Sequence, residues 1–146
     1  METHFVSIGS SLYKEACQLR KELFFKDLEN AELLLNDNYE KNSMHLVIES
    51  KGAVIGTGRL TITDNNTIGI ISQMAIDPDF QRLGLGKFIL QSLLKRGREL
   101  NVNRITLNAR LTAITFYAKN EFIPIGEVFA STKTGVLHQQ MELQLG

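Results

Sequence analysis

Apolar residues recur with a helical period in the first third of the chain and with a period of two after it. The short apolar stretch Phe5–Ile8 predicts a strand, and Ser10 and Ser11 then offer helix caps. The apolar residues that follow at helical spacing are Leu12, Ala16, Leu19 and Leu23. A second helical segment around Leu28–Leu35 ends at the polar turn 36–38. We therefore expect one strand and then helices in this part of the chain.

From residue 45 onward, alternating apolar and polar residues indicate β-strands. The runs His45–Glu49 and Ala53–Ile62 are separated by a tight turn and predict an antiparallel pair. A third run, Thr67–Ile76, follows the polar turn Asp64–Asn66 and ends before Pro78. The three runs together predict a meander.

A helix and several shorter elements follow the meander. Between Lys87 and Leu100 the apolar residues lie on one helical face, which predicts a helix packed on the core. The remaining segments predict a strand at Arg104–Leu107, a helix at Thr112–Lys119, and closing strands at Phe122–Ile125 and Val136–Leu145. This order of elements indicates a mixed α/β (α+β) fold with a largely antiparallel sheet.

Composition supports a single domain, residues 1–146, and excludes several classes of function. The 146 residues are 43% hydrophobic, which is enough for a sizeable core. Sixteen basic and sixteen acidic residues cancel, so no broad positive field favours nucleic acid or an anionic membrane as a partner. The amino terminus lacks a signal-peptide pattern, and no apolar window is long enough to span a bilayer. With Cys17 as its single cysteine, we expect a cytoplasmic protein without a metal site.

The segment after the third run of the meander has the composition of an anion-binding loop. Gly84 and Gly86 lie where a helix begins, so unpaired backbone N–H groups meet at the positive end of the helix dipole. Without Cβ atoms a pyrophosphate can approach this backbone, and Gln81, Arg82 and Lys87 add side-chain donors. From this stretch alone, a helix start that is merely softened by glycine is an equally good interpretation.

Two common phosphate-binding loops are excluded by the spacing of these residues. A P-loop requires glycine at the position of Gln81 and serine or threonine at the position of Phe88. A dinucleotide-binding fingerprint requires a small residue at the position of Ile89. The sequence therefore predicts neither a nucleotide kinase nor a Rossmann dehydrogenase.

Two ordered motifs resemble those of the GNAT N-acetyltransferases. The segment Met74–Gly86 resembles the cofactor motif, in which Gln or Arg, two residues, Gly, one residue, and Gly or Ala follow the fourth strand. The segment Ala113–Phe122 looks like the later motif, a helix that carries a tyrosine and ends before a Phe-led strand. The wider pattern is similar to the small ElaA/YjcF-like branch over nearly the whole chain. The resemblance implies a twisted sheet of about six to seven strands with about four flanking helices, splayed between strands 4 and 5.

The resemblance also implies acetyl-CoA as the acyl donor, with its pantetheine arm between the splayed strands. The residues implied in cofactor binding are Met74, Ala75, Ile76, Gln81, Arg82, Leu83, Gly84, Leu85, Gly86, Lys87, Arg110 and Tyr117. Arg110 departs from the family pattern, since many members have Asn seven residues before the tyrosine. Asn120 is a second departure, because the family usually has Gly before the Phe. We expect Asn120 to adopt the left-handed cap conformation in its place.

Direct acyl transfer requires a neutral amine, an oxyanion stabiliser and an acid for the leaving thiolate. By the resemblance, Tyr117 is the acid, although a tyrosine in a Phe-Tyr pair is also compatible with simple core packing. A backbone N–H near Ile76 is the predicted oxyanion stabiliser. The base stays open: Gln73 cannot take a proton, which leaves His45, His138 or a water relay.

These motifs predict an N-acetyltransferase that moves an acetyl group to a primary amine in a ternary complex, with a small molecule as the expected acceptor. A non-catalytic acyl-CoA sensor and a protein or peptide N-acetyltransferase are the alternatives, and Tyr117 favours catalysis over sensing. A route through an acyl-cysteine is disfavoured, because Cys17 lies among apolar helical residues without a neighbouring histidine. A homodimer is compatible with this prediction.

Overall fold

The computed structural model describes residues 1–63 and 65–146, which form one mixed sheet with helices on both faces. The strands are β1 (Glu2–Val6), β2 (Met44–Ser50), β3 (Ala53–Ile62), β4 (Ile68–Ile76), β5 (Arg104–Arg110), β6 (Ile123–Ala130) and β7 (Leu137–Gln144). The α-helices are α1 (Ser11–Phe24), α2 (Ala31–Leu35), α3 (Leu85–Glu99) and α4 (Ile114–Lys119), with 3₁₀ turns at Glu40–Asn42, Pro78–Phe80 and Leu111–Ala113. Within the described residues, seven strands and four α-helices confirm the predicted architecture.

The strand order is β1-β2-β3-β4-β5-β7-β6, and β4 and β5 are parallel while the other neighbours are antiparallel. The pairing of β4 with β5 spans Ile68–Ile71 and Arg104–Leu107. Both strands continue past this pairing, β4 to Ile76 and β5 to Arg110. The predicted splay between strands 4 and 5 is therefore confirmed, and it leaves a gap with backbone on both sides.

The two faces of the sheet are covered by different helices. On one face α3 packs its apolar side, whose fully buried members include Ile89, Leu90, Leu93 and Leu94. On the opposite face, Ala16 and Leu19 of α1 pack in one cluster with Val47 of β2. Leu46 and Ile48 flank Val47 and belong to the α3 cluster, because successive side chains of a strand point to opposite faces. Burial of each such side chain contributes roughly 1.5–3 kcal/mol to the free energy of folding.

The absence of a side chain at Gly58 sets how closely α3 approaches β3. A Cβ atom at this position would lie 2.7 Å from Ile89 Cγ2 and 3.0 Å from Leu93 Cδ1. A larger residue at Gly58 would therefore require the side chains of Ile89 and Leu93 to shift.

β4 carries a bulge where it begins to part from β5. Thr57 of β3 pairs with Ala75 and Arg59 pairs with Ser72, so β4 has one more residue than β3 between these pairs. Gln73 lies in the bulge with φ 55°, the left-handed region that residues other than glycine seldom adopt. The bulge therefore changes the direction of β4 at the mouth of the gap.

Tertiary contacts move several element boundaries from their predicted positions. β1 ends at Val6, where its pairing with β2 ends, and α3 begins at Leu85, within the glycine loop itself. β5 continues to Arg110 because its last residues pair with β7. Asp64, the first residue of the predicted turn Asp64–Asn66, lies outside the described residues. Among the helices of the described ranges, none has both the length and the apolar character needed to span a bilayer.

Candidate active site

Backbone groups at the end of β4 face the gap between β4 and β5. The N–H of Asp77 donates to the carbonyl of Ile55 over 2.8 Å, which marks these residues as a hydrogen-bonded pair of the β3–β4 ladder. Because such pairs alternate along antiparallel strands, the N–H and C=O of Ile76 point away from β3 and toward the gap. By the same alternation, the backbone of Ala75 points toward β3. Of these two residues, only Ile76 directs its backbone groups into the gap.

The glycine loop at the start of α3 opens beside this gap. Gly84, with φ 81°, is the N-cap of α3, and no side-chain cap is present among the described residues. A Cβ atom at Gly84 would meet nothing within 4 Å, and one at Gly86 would meet the Phe116 ring at 3.7 Å. The first N–H groups of α3 thus face open space, which is the arrangement that binds anions at helix amino termini.

A cavity of about 360 Å³ lies over the loop. Its lining residues are Ile76, Phe80, Gln81, Arg82, Gly84, Leu85, Gly86, Lys87 and Phe116. Gln81 also donates from Nε2 to the carbonyl of Ile76 over 3.2 Å, which ties the loop to the end of β4. Leu83 does not line this cavity, and its side chain is 62% exposed. The other predicted loop residues are brought together here.

A larger cavity, of about 500 Å³, occupies the gap and opens over the α1 face of the sheet. Its walls come from Ile70–Met74 of β4, Leu107–Arg110 of β5, the end of α1, and the segment Phe129–Thr134. Tyr117 lines this cavity, whereas its neighbour Phe116 lines the smaller one. The helix α4 therefore stands where the two cavities approach each other.

Tyr117 is held in a cluster of aromatic rings. Its ring packs edge-on against Phe116 and Phe122, with centroids 5.0 and 5.7 Å apart. Its hydroxyl donates to the sulfur of Met74 over 3.5 Å, a weak hydrogen bond across the gap from α4 to β4. Burial raises the pKa of Tyr117 to about 12, so the hydroxyl keeps its proton at physiological pH.

The two candidate histidines lie in different surroundings. His45 is buried on β2, and its Nε2 lies 3.0 Å from the carbonyl oxygen of Glu40. Burial also lowers the pKa of His45. His138 lines the larger cavity, and its Nδ1 lies 2.8 Å from the carbonyl oxygen of Val136. Since a carbonyl oxygen accepts only, Nδ1 of His138 carries a proton and Nε2 of the neutral ring keeps a lone pair.

A buried network of charges, which the sequence did not reveal, lies beneath the α1 side of the gap. The carboxylate of Glu40 accepts hydrogen bonds from both terminal nitrogens of Arg20, at 2.8 and 2.9 Å. It accepts another from Arg59 at 2.8 Å. Asp37 receives two hydrogen bonds from Arg59, at 2.9 and 3.1 Å, and one from Lys133 at 2.7 Å. Arg20, Glu40 and Arg59 are each at most 3% exposed. Such groups are stable in the interior only because they pair with one another.

The same network holds the bulge of β4 in place. The Nε of Arg20 donates to the side-chain oxygen of Gln73 over 3.2 Å, and the Nε of Arg59 donates to the hydroxyl of Ser72 over 2.8 Å. Both arginines occupy apolar positions in the sequence. Arg20 lies on the apolar helical face of Ala16 and Leu19, and Arg59 interrupts an apolar strand. A charged residue at an apolar position predicts a buried partner, but it does not say which residue that partner is.

Arg110 lies on the face of the sheet opposite the glycine loop. Its neighbour Ala109 packs in the α3 cluster, so Arg110 projects to the α1 face, where its guanidinium lies 5.2 Å from the ring centroid of Phe24. Its register partner on β7 is His138, and both residues line the larger cavity. The cofactor contact expected for Arg110 is not favoured by this position.

The turn after α4 differs from the expectation for Asn120. Asn120 has φ −100°, and it is the next residue, Glu121, that adopts the left-handed conformation with φ 74°. The amide nitrogen Nδ2 of Asn120 instead donates to the carbonyl of Phe116 over 2.8 Å and satisfies a group of the last helical turn. The prediction for Asn120 was therefore wrong by one residue, because α4 ends at Lys119 with Asn120 as its C-cap.

Residues 11–145 match the family model described as an acetyltransferase (GNAT) domain. The chain belongs to the GNAT family. It is 26% identical over 128 residues to the uncharacterized N-acetyltransferase YjcF of Bacillus subtilis, across 88% of this chain and 89% of that protein. It is also 40% identical over 75 residues to the uncharacterized N-acetyltransferase ycf52 of Porphyra purpurea, across 51% of this chain and 42% of that protein. The chain thus spans about half the length of the ycf52 proteins that it matches.

Solved structures of other proteins share the fold. Escherichia coli ElaA superposes with a TM-score of 0.82 at 16% identity, with 97% of each chain covered. An aminoglycoside 6'-N-acetyltransferase complexed with coenzyme A superposes with a TM-score of 0.77 at 11% identity, covering 99% of this chain and 97% of the other. The predicted resemblance to ElaA/YjcF-like GNAT proteins is confirmed, by sequence for YjcF and by fold for ElaA.

Proposed function

We propose that this GNAT domain is an acetyl-CoA-dependent N-acetyltransferase that acts on the primary amine of a small molecule. The observation that carries the proposal is the arrangement of the two cavities. The smaller cavity lies over the glycine loop at the start of α3, and the larger one opens the gap toward the α1 face. Two ligands that approach from these opposite faces meet between β4 and β5.

The residues around the loop fit a coenzyme A pyrophosphate. The N–H groups of Leu85, Gly86 and Lys87 lie in the first turn of α3, beyond a cap without a side-chain partner in the described residues. Arg82 and Lys87 add exposed positive charges at the same cavity. The N–H of Ile76 and the bulged backbone at Met74 offer partners along β4 for the pantetheine arm. When bound, acetyl-CoA supplies an acetyl thioester, whose C–S bond breaks as the acceptor nitrogen forms the new C–N bond.

Three groups of this chain are assigned to the transfer. His138 accepts a proton from the acceptor ammonium, because its Nε2 keeps a lone pair while Nδ1 is bonded to Val136. The N–H of Ile76 donates to the carbonyl oxygen as negative charge develops on it. The hydroxyl of Tyr117 donates to the departing sulfur. The products are an N-acetylated amine and a free thiol. His45 has no part in this proposal, since it is buried on β2 and lines neither of the two cavities.

Tyr117 also favours an enzyme over an acyl-CoA sensor. Among the described residues, its hydroxyl has the Met74 sulfur as its hydrogen-bond partner, which is a weak acceptor. A phenylalanine would satisfy the packing against Phe116 and Phe122 equally well. A hydroxyl held toward the gap with so weak a partner is placed to meet a ligand.

The proposal is tested by calorimetric titration of coenzyme A into the wild-type protein and into Gly86→Val. Coenzyme A at about 100 times its Kd is expected to stabilise the folded protein by about 2.7 kcal/mol and so to raise its Tm. Gly86→Val is expected to weaken binding about 10- to 100-fold, because overpacking of a close contact costs about 1–3 kcal/mol. Gly84 is less suitable, since φ 81° would strain any replacement.

Gly86→Ala is the matched control for the loop. A Cβ at this position meets only the Phe116 ring, at 3.7 Å, so both variants are expected to fold. We expect the alanine variant to bind coenzyme A nearly as well as the wild type does. If millimolar coenzyme A neither binds nor raises the Tm of the wild-type protein, the proposed function is wrong.

A further inference from the structure

The larger cavity, where the acceptor is proposed to bind, is lined by more positive than negative side chains. Among the described residues that line this cavity, Arg59, Arg110 and Lys133 are cationic, and Asp37 is the one carboxylate. The chain as a whole has a formal charge of zero, so the surplus is local. A cavity of this kind favours a ligand with a negative group and disfavours one that carries several ammonium groups.

The single carboxylate is already engaged by its neighbours. Asp37 lies 2.9 Å from Nη1 of Arg59 and 2.7 Å from Nζ of Lys133. Burial opposes the ionisation of Asp37, but the hydrogen bonds from Arg59 and Lys133 outweigh burial and hold its pKa at about 2. Asp37 is thus a permanent counter-ion of these two residues. It offers no free charge for an acceptor ammonium.

Arg110 is the cation of this wall without such a counter-ion. No carboxylate of the described residues lies within salt-bridge distance of its guanidinium, which instead lies over the ring of Phe24. Stacking on a ring leaves the edge of a guanidinium, with its paired N–H donors, available to a carboxylate. Arg110 is therefore equipped to bind an anionic group in the cavity.

His138 lies directly opposite Arg110 on the neighbouring strand. The two residues are register partners of the antiparallel pair β5–β7, so their side chains leave the same face of the sheet. Cβ atoms of such partners lie about 4.5–5.5 Å apart. Since both side chains also line the larger cavity, one small ligand can contact His138 and Arg110 at the same time.

We propose that the acceptor is an α-amino acid, whose carboxylate binds Arg110 while its amine faces His138. In an α-amino acid the amine and the carboxylate are attached to one carbon, so one small ligand offers both groups to these two side chains of the same sheet face. Phe24, Phe25 and Phe129 also line the cavity and favour an apolar side chain. The inference rests on the proposed function: the amine forms the C–N bond, the C–S bond breaks, the amine proton leaves through His138, and the thiolate takes up a proton.

A matched series of acceptors tests the inference by thiol release with acetyl-CoA. L-Phenylalanine, its carboxamide and phenethylamine share one ring and one amine but differ in the carboxylate. We expect kcat/KM for phenylalanine to exceed that for the other two about 10- to 100-fold, because a hydrogen-bonded charged group contributes about 1.5–3 kcal/mol. Equal rates for the three acceptors, or no transfer to phenylalanine by a protein that binds coenzyme A, would overturn the inference.

Variants of Arg110 test whether this residue binds the carboxylate of the acceptor. Arg110→Gln is expected to abolish the preference for phenylalanine. It is also expected to raise the Kd for N-acetyl-L-phenylalanine, measured by calorimetry, by about 10- to 100-fold. Arg110→Lys keeps the charge and is expected to restore part of the preference. Arg98→Gln, on the exposed side of α3, removes the same charge far from the cavity and serves as the control.

Coenzyme A affinity separates this inference from the proposed function. We expect Arg110→Gln to bind coenzyme A as the wild type does. If its coenzyme A affinity falls and the preference for phenylalanine stays, Arg110 contacts the cofactor and the inference fails while the proposed function stands. If the wild-type protein does not bind coenzyme A at all, the proposed function fails, and the inference fails with it.

Discussion

Replacement of Tyr117 by phenylalanine removes a single hydroxyl from the gap. The ring contacts with Phe116 and Phe122, at centroid distances of 5.0 and 5.7 Å, do not involve that hydroxyl. The lost hydrogen bond, to the sulfur of Met74 at 3.5 Å, is weak. We therefore expect the free energy of unfolding to change by less than about 1 kcal/mol.

The expected loss of rate follows from the acidity of the hydroxyl. The pKa of Tyr117 is about 12, and an unperturbed thiol has a pKa of about 8.5. Complete transfer of the proton to the thiolate is thus unfavourable by about 5 kcal/mol, at 1.36 kcal/mol for each unit of pKa. The hydroxyl is therefore expected to stabilise the departing sulfur as a hydrogen-bond donor, while solvent supplies the proton. Such a bond to a charged group is worth about 1.5–3 kcal/mol, which predicts a fall in kcat of about 10- to 100-fold.

The assay is thiol release at saturating acetyl-CoA, with a slow acceptor so that chemistry limits the rate. The Kd for coenzyme A, measured on the same variant, is expected to remain unchanged. Because the raised pKa keeps Tyr117 protonated below about pH 10, the ratio of wild-type to variant kcat is expected to stay constant between about pH 7 and pH 10. The ratio should fall only as the pH approaches the pKa of about 12.

Two results would refute this reasoning. An undiminished kcat would show that the hydroxyl does not assist the leaving group. A loss of coenzyme A affinity at constant kcat would make the hydroxyl a cofactor contact instead. In either case the tyrosine would have no catalytic role, and the proton would have to reach the sulfur from water alone.

The remaining predictions concern the base and the buried charges. His138→Gln is expected to lower kcat/KM at least about 10²-fold without changing coenzyme A affinity, and full activity in the thiol-release assay would exclude His138 as the base. Burial opposes the ionisation of Glu40, but the hydrogen bonds from Arg20 and Tyr13 outweigh burial and lower its pKa from 4.5 to about 2. The stability that Glu40 contributes is therefore present above about pH 4.5 and is lost as the pH falls toward 2, a change of roughly 3 kcal/mol. In urea unfolding, Glu40→Gln should be less stable at pH 7 and less sensitive to acid than the wild type, and equal acid sensitivity would contradict this assignment.

Local spacing was enough to predict that the glycine loop lies at the start of a helix. Gly84 and Gly86 lie in one loop, and the conformations that this loop needs are a property of the chain itself. Tyr117 sits on a helix whose end is marked by the residues that follow it. The three strands of the meander also followed from the sequence, because each run of strand-forming residues is bounded by turn residues.

The larger cavity is built from distant segments of the chain. His45 and His138 both lie on strands, yet only the packing of the sheet places the first in the interior and the second at the cavity. Arg110 pairs with a residue 28 positions later along the chain, and that register decides which face it shares with His138. No local pattern carries such information, because a slip of one residue in the register would send the side chain to the opposite face.

The buried charged residues also show the difference between what the sequence indicates and what the tertiary structure decides. The burial of Arg20 and Arg59 was not predicted from the sequence, although each lies within an apolar pattern. Their common partner, Glu40, lies in a 3₁₀ turn outside both patterns. Only the folded chain brings the three side chains together, because the energy that makes a buried charge tolerable belongs to the pair and not to either residue.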